Sequence, residues 1–258
     1  MTDELLDRNR RQFGANAANY ATSEVHAKGA SLGRLVEVVD AQPEWNALDV
    51  ATAAGHVAIA IAPLVARMTA TDLTPEMVEL AGRRAEEAGL QNVTTRVADA
   101  CELPFDDGTF DLVTCRIAPH HFPDSAAFVR EVARVLRPDG VFGFVDNVVP
   151  DEPDVATFLN DWERRRDPSH AMCLSVDQWI ELMSTEGLTI EHRELLAKRM
   201  GFISWADNMS VPADVREALR AELATASADV HAYLRPENLD GDDAAFHLTE
   251  AVIRATKT

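Results

Sequence analysis

The sequence predicts an α/β domain built on a largely parallel sheet, with a helical cap. Three observations carry this expectation. Short apolar runs alternate with helical patterns along the chain. One apolar run passes through a tight turn of small residues directly into a helix. Acidic or small residues stand at the ends of three successive predicted strands, the edge where open α/β sheets bind ligands.

Taken in order, residues 46–51 read as a first strand, followed by a helix over 56–64, and residues 67–71 as a second strand ending at Asp72. Thr74-Pro75-Glu76 then opens a helix, with Thr74 at the N-cap, Pro75 at the first helical position and an acid in the first turn. Gly89 is placed to end it. Residues 93–97 and 110–115 give a third and a fourth strand. A helix over 125–136 stops before the turn signal Pro138-Asp139-Gly140, and 141–146 gives a fifth strand. Beyond Pro150 helices alternate with loops, 188–195 reads as a sixth strand, 201–235 as a helical cap, and 245–255 as the last strand. With no clear linker, the expectation is one domain over 1–258. It comprises an N-terminal helical lid (1–40), a cofactor-binding core (41–150), a cap and substrate region with strand six (151–235), and the last strand (236–258).

The chain's 258 residues can bury a large core. Lys and Arg total 24 against 43 Asp and Glu, a formal charge of -19, which disfavours nucleic acid and anionic membranes as partners. Cys101, Cys115 and Cys173 are odd in number and lack CxxC spacing, so neither a disulfide framework nor a metal site is expected. The acidic start Met1-Thr2-Asp3-Glu4 is unlike a signal peptide, and the longest apolar stretch, 57–68, is too short to span a bilayer; a cytoplasmic location is expected.

The ligand signal centres on Leu48-Asp49-Val50-Ala51-Thr52-Ala53-Ala54-Gly55-His56. Small residues let backbone N–H groups approach a ligand, and a helix N-terminus favours an anionic group. An ordinary tight turn would read the same way. Asp72, 17 residues after Gly55, is placed to accept both hydroxyls of a ribose, with a solvated loop aspartate as the alternative. Asp99 could accept from an adenine amino group or cap a helix. The fingerprint GxGxxG is absent, which argues against a nicotinamide enzyme.

These residues, together with Asp72-Leu73-Thr74-Pro75-Glu76-Met77, Ala98-Asp99-Ala100, Leu103-Pro104-Phe105, Phe110-Asp111 and Arg134-Val135-Leu136-Arg137-Pro138-Asp139-Gly140, resemble class I S-adenosylmethionine-dependent methyltransferases. The subgroup is the methyltransferase type 11 group, which includes ubiquinone/menaquinone C-methyltransferases. The segments 13–20, 114–122 and 166–170 resemble a bacterial subgroup of small methyltransferases. The resemblance implies a Rossmann-like seven-stranded sheet, mostly parallel with its last strand antiparallel, and S-adenosyl-L-methionine as cofactor. It implies that Asp49, Ala51, Thr52, Ala53 and Gly55 cradle the methionine end, Asp72 takes the ribose and Leu73 packs on adenine. Asp99 would take the adenine amino group beside Ala100, Arg116 would border cofactor and substrate, and Tyr20 would close over the site. A homodimer is a family-level expectation. The family usually has glycine at positions 51 and 53. If position 53 needs a positive φ, Ala53 is strained by about 1 kcal/mol or more; Ala51 is expected to be the milder change.

The expected activity is in-line methyl transfer to a small-molecule acceptor, which needs alignment, water exclusion and, for an acidic acceptor, a base. His120, His121, His170 and Asp146 are candidates for catalysis, because histidine titrates near neutrality and all four follow strand ends or a turn facing the cleft. The alternative for the pair 120–121 is that one packs inward and the other caps the next helix. Asn147, His170, Phe202 and Trp205 are candidates for the acceptor. Phe202, Trp205 and Met209 share one helical face, which core packing would also explain. His26 and His56 are assigned supporting roles near lid and loop. Two rival functions remain open: a methyltransferase scaffold catalysing a cyclisation or rearrangement, and a non-catalytic binding module.

Overall fold

The computed structural model describes Leu6, Arg8, Arg10 and residues 29–258. Tyr20, His26 and the segment 13–20 lie outside the described residues. The described elements run α1 (Ala30–Val39), β1 (Asn46–Val50), α2 (His56–Ile61), β2 (Arg67–Asp72), α3 (Pro75–Glu87), β3 (Val93–Val97) and β4 (Phe110–Arg116). They continue with α4 (Ser125–Val135), β5 (Leu136–Val148), α5 (Pro153–Arg166), α6 (Val176–Thr185), β6 (Leu188–Gly201), α7 (Phe202–Asp207), α8 (Ala213–Ala224), α9 (Ala228–Leu234) and β7 (Ala245–Lys257).

The seven strands form one sheet in the order β3-β2-β1-β4-β5-β7-β6. Strands β1 to β5 pair in parallel, and β7 runs antiparallel between β5 and β6. This is the mostly parallel sheet with an antiparallel last strand that the family resemblance implies. The order reverses between β1 and β4, because the chain goes outward to β3 and then returns to the other side of β1. That reversal opens a crevice at the C-terminal ends of these strands.

Burial follows the sequence pattern. Strands β1 and β4 are buried on both faces, with Asp49, Asp111 and Thr114 set among their apolar residues. Leu35 and Val39 of α1 with Val57 and Ile61 of α2 join one core cluster. Phe128, Val129 and Val132 of α4 with Trp179 and Met183 of α6 join another. Asp124 caps α4 by accepting from Ala127 N at 2.8 Å, and Ser175 with Gln178 forms a capping box on α6. The cap has its own core, in which Trp162 stacks on Trp205 with centroids 4.2 Å apart, and Phe202 and Phe246 pack around them.

Several element boundaries differ from expectation. β5 begins at Leu136, which pairs with Phe110, and Asp139 takes a left-handed φ of 62° within an irregular register; the turn signal marks a kink in the strand, not its start. β6 continues past Leu195 to Gly201 and β7 reaches Lys257, because the two ladder together along their length. The segment 202–234 is helical as expected. Within the expected lid, α1 packs on the sheet: a Cβ built at Gly143 would meet Val39 and would lie 2.9 Å from Leu35. Among the described residues, no helix is long and apolar enough to cross a membrane.

Candidate active site

The turn after β1 is held in an alternating backbone pattern. Ala51, Ala53 and Gly55 take φ of 53°, 47° and 79°. Both alanines therefore stand in the left-handed region, Ala51 as much as Ala53, so the expectation that Ala51 is the milder change is corrected. Thr52 between them donates its backbone N–H to Thr71 O at 2.8 Å and its hydroxyl to Asp49 Oδ2 at 2.5 Å. Asp49 is buried and its second oxygen accepts from Thr114 Oγ1 at 2.8 Å. Burial pushes its carboxyl up to about 6, against the lowering effect of the two threonine hydroxyls. Gly55 is the N-cap residue of α2, and a Cβ there would lie 3.2 Å from Ala81 Cβ. Close packing against α3 accounts for this glycine; it does not line the cavity.

Asp72, at the tip of β2, accepts from Ala53 N and Thr74 N, each at 2.9 Å. Burial raises its pKa, opposed by those backbone bonds. Thr74 takes the N-cap position of α3 without a side-chain capping bond. Asp99, after β3, accepts from Cys101 N at 2.8 Å and opens no helix. Asp49, Asp72 and Asp99 all line one cavity with Ala51, Thr52, Ala53, Leu73, Ala100 and Arg116. Leu6, from the start of the chain, lines it too. Arg116 donates to Ser31 Oγ at 3.2 Å, which links α1 to the cavity rim.

The same cavity continues beyond β4 to a histidine cluster. His120 and His121 are buried in a short helical turn, Pro119–His121, and neither caps α4. His120 Nδ1 lies 2.6 Å from Asp146 Oδ1, and Asp146 Oδ2 accepts from His120 N at 2.8 Å. Asp146 is fully buried and stands behind the histidine, off the cavity wall. Burial works against charging His120, but Asp146 outweighs it, so its pKa is raised. His121 is pushed down to about 3 by burial and by His120, and its Nδ1 faces Ser169 O at 3.1 Å. His170 is pushed down to about 2 by burial and the neighbouring histidines, with Nε2 2.8 Å from Asn160 Oδ1. The ring centroids of His121 and His170 lie 4.2 and 5.6 Å from that of His120.

Of the acceptor candidates, Asn147, His170 and Trp205 line the cavity. Phe202 does not; it is fully buried in the cap core, where core packing accounts for it. Met209 does reach the cavity, and His56 lines it beside the loop, 3.4 Å from Arg84. Sequence reasoning missed two buried ion pairs on the wall: Lys198 with Glu250 at 2.6 Å, and Arg166 with Glu163 at 3.0 Å. A signal for one was present, since Glu250 stands directly before the apolar run Ala251-Val252-Ile253 of β7.

Residues 48–144 match the methyltransferase domain family. The chain is 35% identical to the methyltransferase YcgJ of Bacillus subtilis, across 96% of this chain and 99% of that protein. The chain belongs to this methyltransferase family. The crystal structure of YcgJ superposes with a TM-score of 0.85, covering 88% of this chain and 97% of that one. A second relative, YafE of Escherichia coli, is 32% identical over 71% of this chain and 89% of its own length. Nocamycin O-methyltransferase of Saccharothrix syringae is 29% identical over 73% of this chain and 62% of its own. A geranyl diphosphate methyltransferase in complex with SAM shares the fold at a TM-score of 0.62 and 15% identity, over 89% of this chain and 85% of that one.

Proposed function

We propose that this methyltransferase-family chain binds S-adenosylmethionine at the tips of β1 to β3 and transfers its methyl group to a small-molecule acceptor lodged beneath the cap. The observation that carries the reading is that three strand-tip acids, Asp49, Asp72 and Asp99, line one cavity with the β1–α2 loop between them. These residues suit the cofactor. A carboxylate has about four lone-pair sites, and Asp72 uses two of them on backbone N–H groups, which leaves capacity for a ribose diol. Asp49 is an acid held at a cost by burial, and a cationic ammonium group nearby would relieve it. When bound, the cofactor would supply an electrophilic methyl on a sulfonium. The protein's own part is to align the acceptor, exclude water and hold any proton released.

Isothermal titration with S-adenosylhomocysteine tests this. Wild-type protein is expected to bind, and Asp72→Asn to bind about 10- to 100-fold more weakly, since one charge-assisted acceptor is lost. Absence of binding by the wild type, or equal binding by Asp72→Asn, overturns the proposal.

A further inference from the structure

The site leaves three histidines to choose among, and their environments separate them. Asp146 accepts only, so the hydrogen between it and His120 belongs to Nδ1, and the lone pair of the neutral ring sits on Nε2. No hydrogen bond among the described residues engages Nε2, and His120 lines the cavity. His170 has its Nε2 tied to Asn160; His121 rests its Nδ1 on a neutral backbone carbonyl, Ser169 O, and burial and His120 oppose its protonated form. On the wall of the same cavity, Asn147 presents an Oδ1 that is buried without a partner among the described residues. Beyond it the wall is formed by Leu159, Met200, Trp205, Met209, Tyr233 and Leu248. Of the cations that line the cavity, Arg166 and Lys198 are each neutralised by a carboxylate, and Arg116 stands at the α1 rim, bonded to Ser31.

From this we infer that His120, oriented by Asp146, is the catalytic base, and that the acceptor is an uncharged, largely apolar molecule bearing a phenol- or enol-type hydroxyl. The inference rests on the methyl-transfer reading above and names its substrate class. A phenol ionises at about 10, within a few units of a histidine, so proton transfer to Nε2 is accessible; an aliphatic alcohol is too weak an acid. As the O–C bond forms, the C–S bond breaks with its electron pair left on sulfur. The hydroxyl proton ends on Nε2, from where it passes to water. An acceptor with a fixed charge would lack a counter-charge on this wall, whereas Trp205 and the methionines suit a flat apolar body.

The charged and titratable groups acting on His120 come from every side: Asp146 on β5, His121 on its own turn, Glu163 on α5, and Asp167 and His170 on the following segment. Of these, Asp146 is in direct contact and governs the sign. The acid limb of activity should therefore lie above the ordinary histidine range, and removing the carboxylate charge should move it downward.

Two measurements test the inference, neither of which needs turnover. The first is an NMR titration of the His120 ring in wild type and Asp146→Asn. A titration above the ordinary range, moved downward in the variant, is expected. A wild-type ring titrating at or below that range, or one unmoved by Asp146→Asn, overturns the inference. The second is the absorbance of 4-nitrophenol added to protein saturated with S-adenosylhomocysteine. Phenolate absorbance on binding at slightly acidic pH is expected, with a drop of about tenfold or more in His120→Gln, equivalent to about one pH unit of lost stabilisation. No binding of the probe, binding without the phenolate band, or the same band in His120→Gln overturns it. Calorimetry with S-adenosylhomocysteine alone reports separately on the cofactor site, so failure of the base and failure of the methyl-transfer reading are told apart.

Discussion

Replacing Ala51 and Ala53 by glycine should stabilise the protein, against the usual direction of a glycine substitution. Both alanines hold a left-handed φ, 53° and 47°, which costs an L-residue about 1–2 kcal/mol. Glycine removes that strain but adds freedom to the unfolded chain, worth about 0.5–1 kcal/mol. The balance is a gain of about 0.5–1 kcal/mol at each site and about 1–2 kcal/mol for the pair. For a chain of this size each kcal/mol moves Tm by about 2–4 °C, so the double variant should melt several degrees higher. Thermal unfolding of the ligand-free protein, followed by circular dichroism at fixed pH, measures this. A double variant that melts at or below the wild-type temperature would show that contacts of the two methyl groups outweigh the backbone strain.

Two further outcomes are expected. Gly143→Ala should destabilise by about 1–3 kcal/mol, because the new methyl would meet Val39 and lie 2.9 Å from Leu35 where α1 crosses β5; a urea midpoint equal to wild type would contradict this. Asp49 should make stability fall as pH rises from about 4 to about 6. Its folded pKa of about 6 lies above the ordinary 3.8, so the folded state holds a proton through that window that the unfolded state has already lost. The stabilisation is complete below the unfolded pKa and gone above the folded one. Asp49→Asn should flatten that part of the stability profile measured by urea unfolding, and equal slopes in the two proteins would count against a buried, proton-holding Asp49.

The core of the fold was legible because β1, β2, β3 and β4 are compact runs bounded by turn residues, and the central strands are buried on both faces. The expected strand stops at Leu195, six residues short of the end of β6, because Lys198, Arg199 and Gly201 make the second half look like solvent-facing loop. As an edge strand it needs only one partner, and alternate residues remain outside the core. The strand-tip acids were legible for the same reason as the strands. Gly55 and Phe202 were not, since packing and ligand contact leave the same mark in a sequence: a glycine beside a helix start, an aromatic on an apolar face. The Lys198–Glu250 pair depends on the register between two strands far apart in the chain, which no local pattern encodes.

The position of β7 has a consequence for how the molecule is made. It is the last of the seven strands to leave the ribosome, yet it is inserted between β5 and β6, and β6 is joined to the sheet only through it. Until residues 245–257 emerge, β6 has no neighbour to zip onto, and Phe246 is missing from the middle of the cap's aromatic cluster. The acceptor compartment is therefore completed late in synthesis, and trimming a few residues inside this strand should cost the cap its footing while β1 to β5 can still pair.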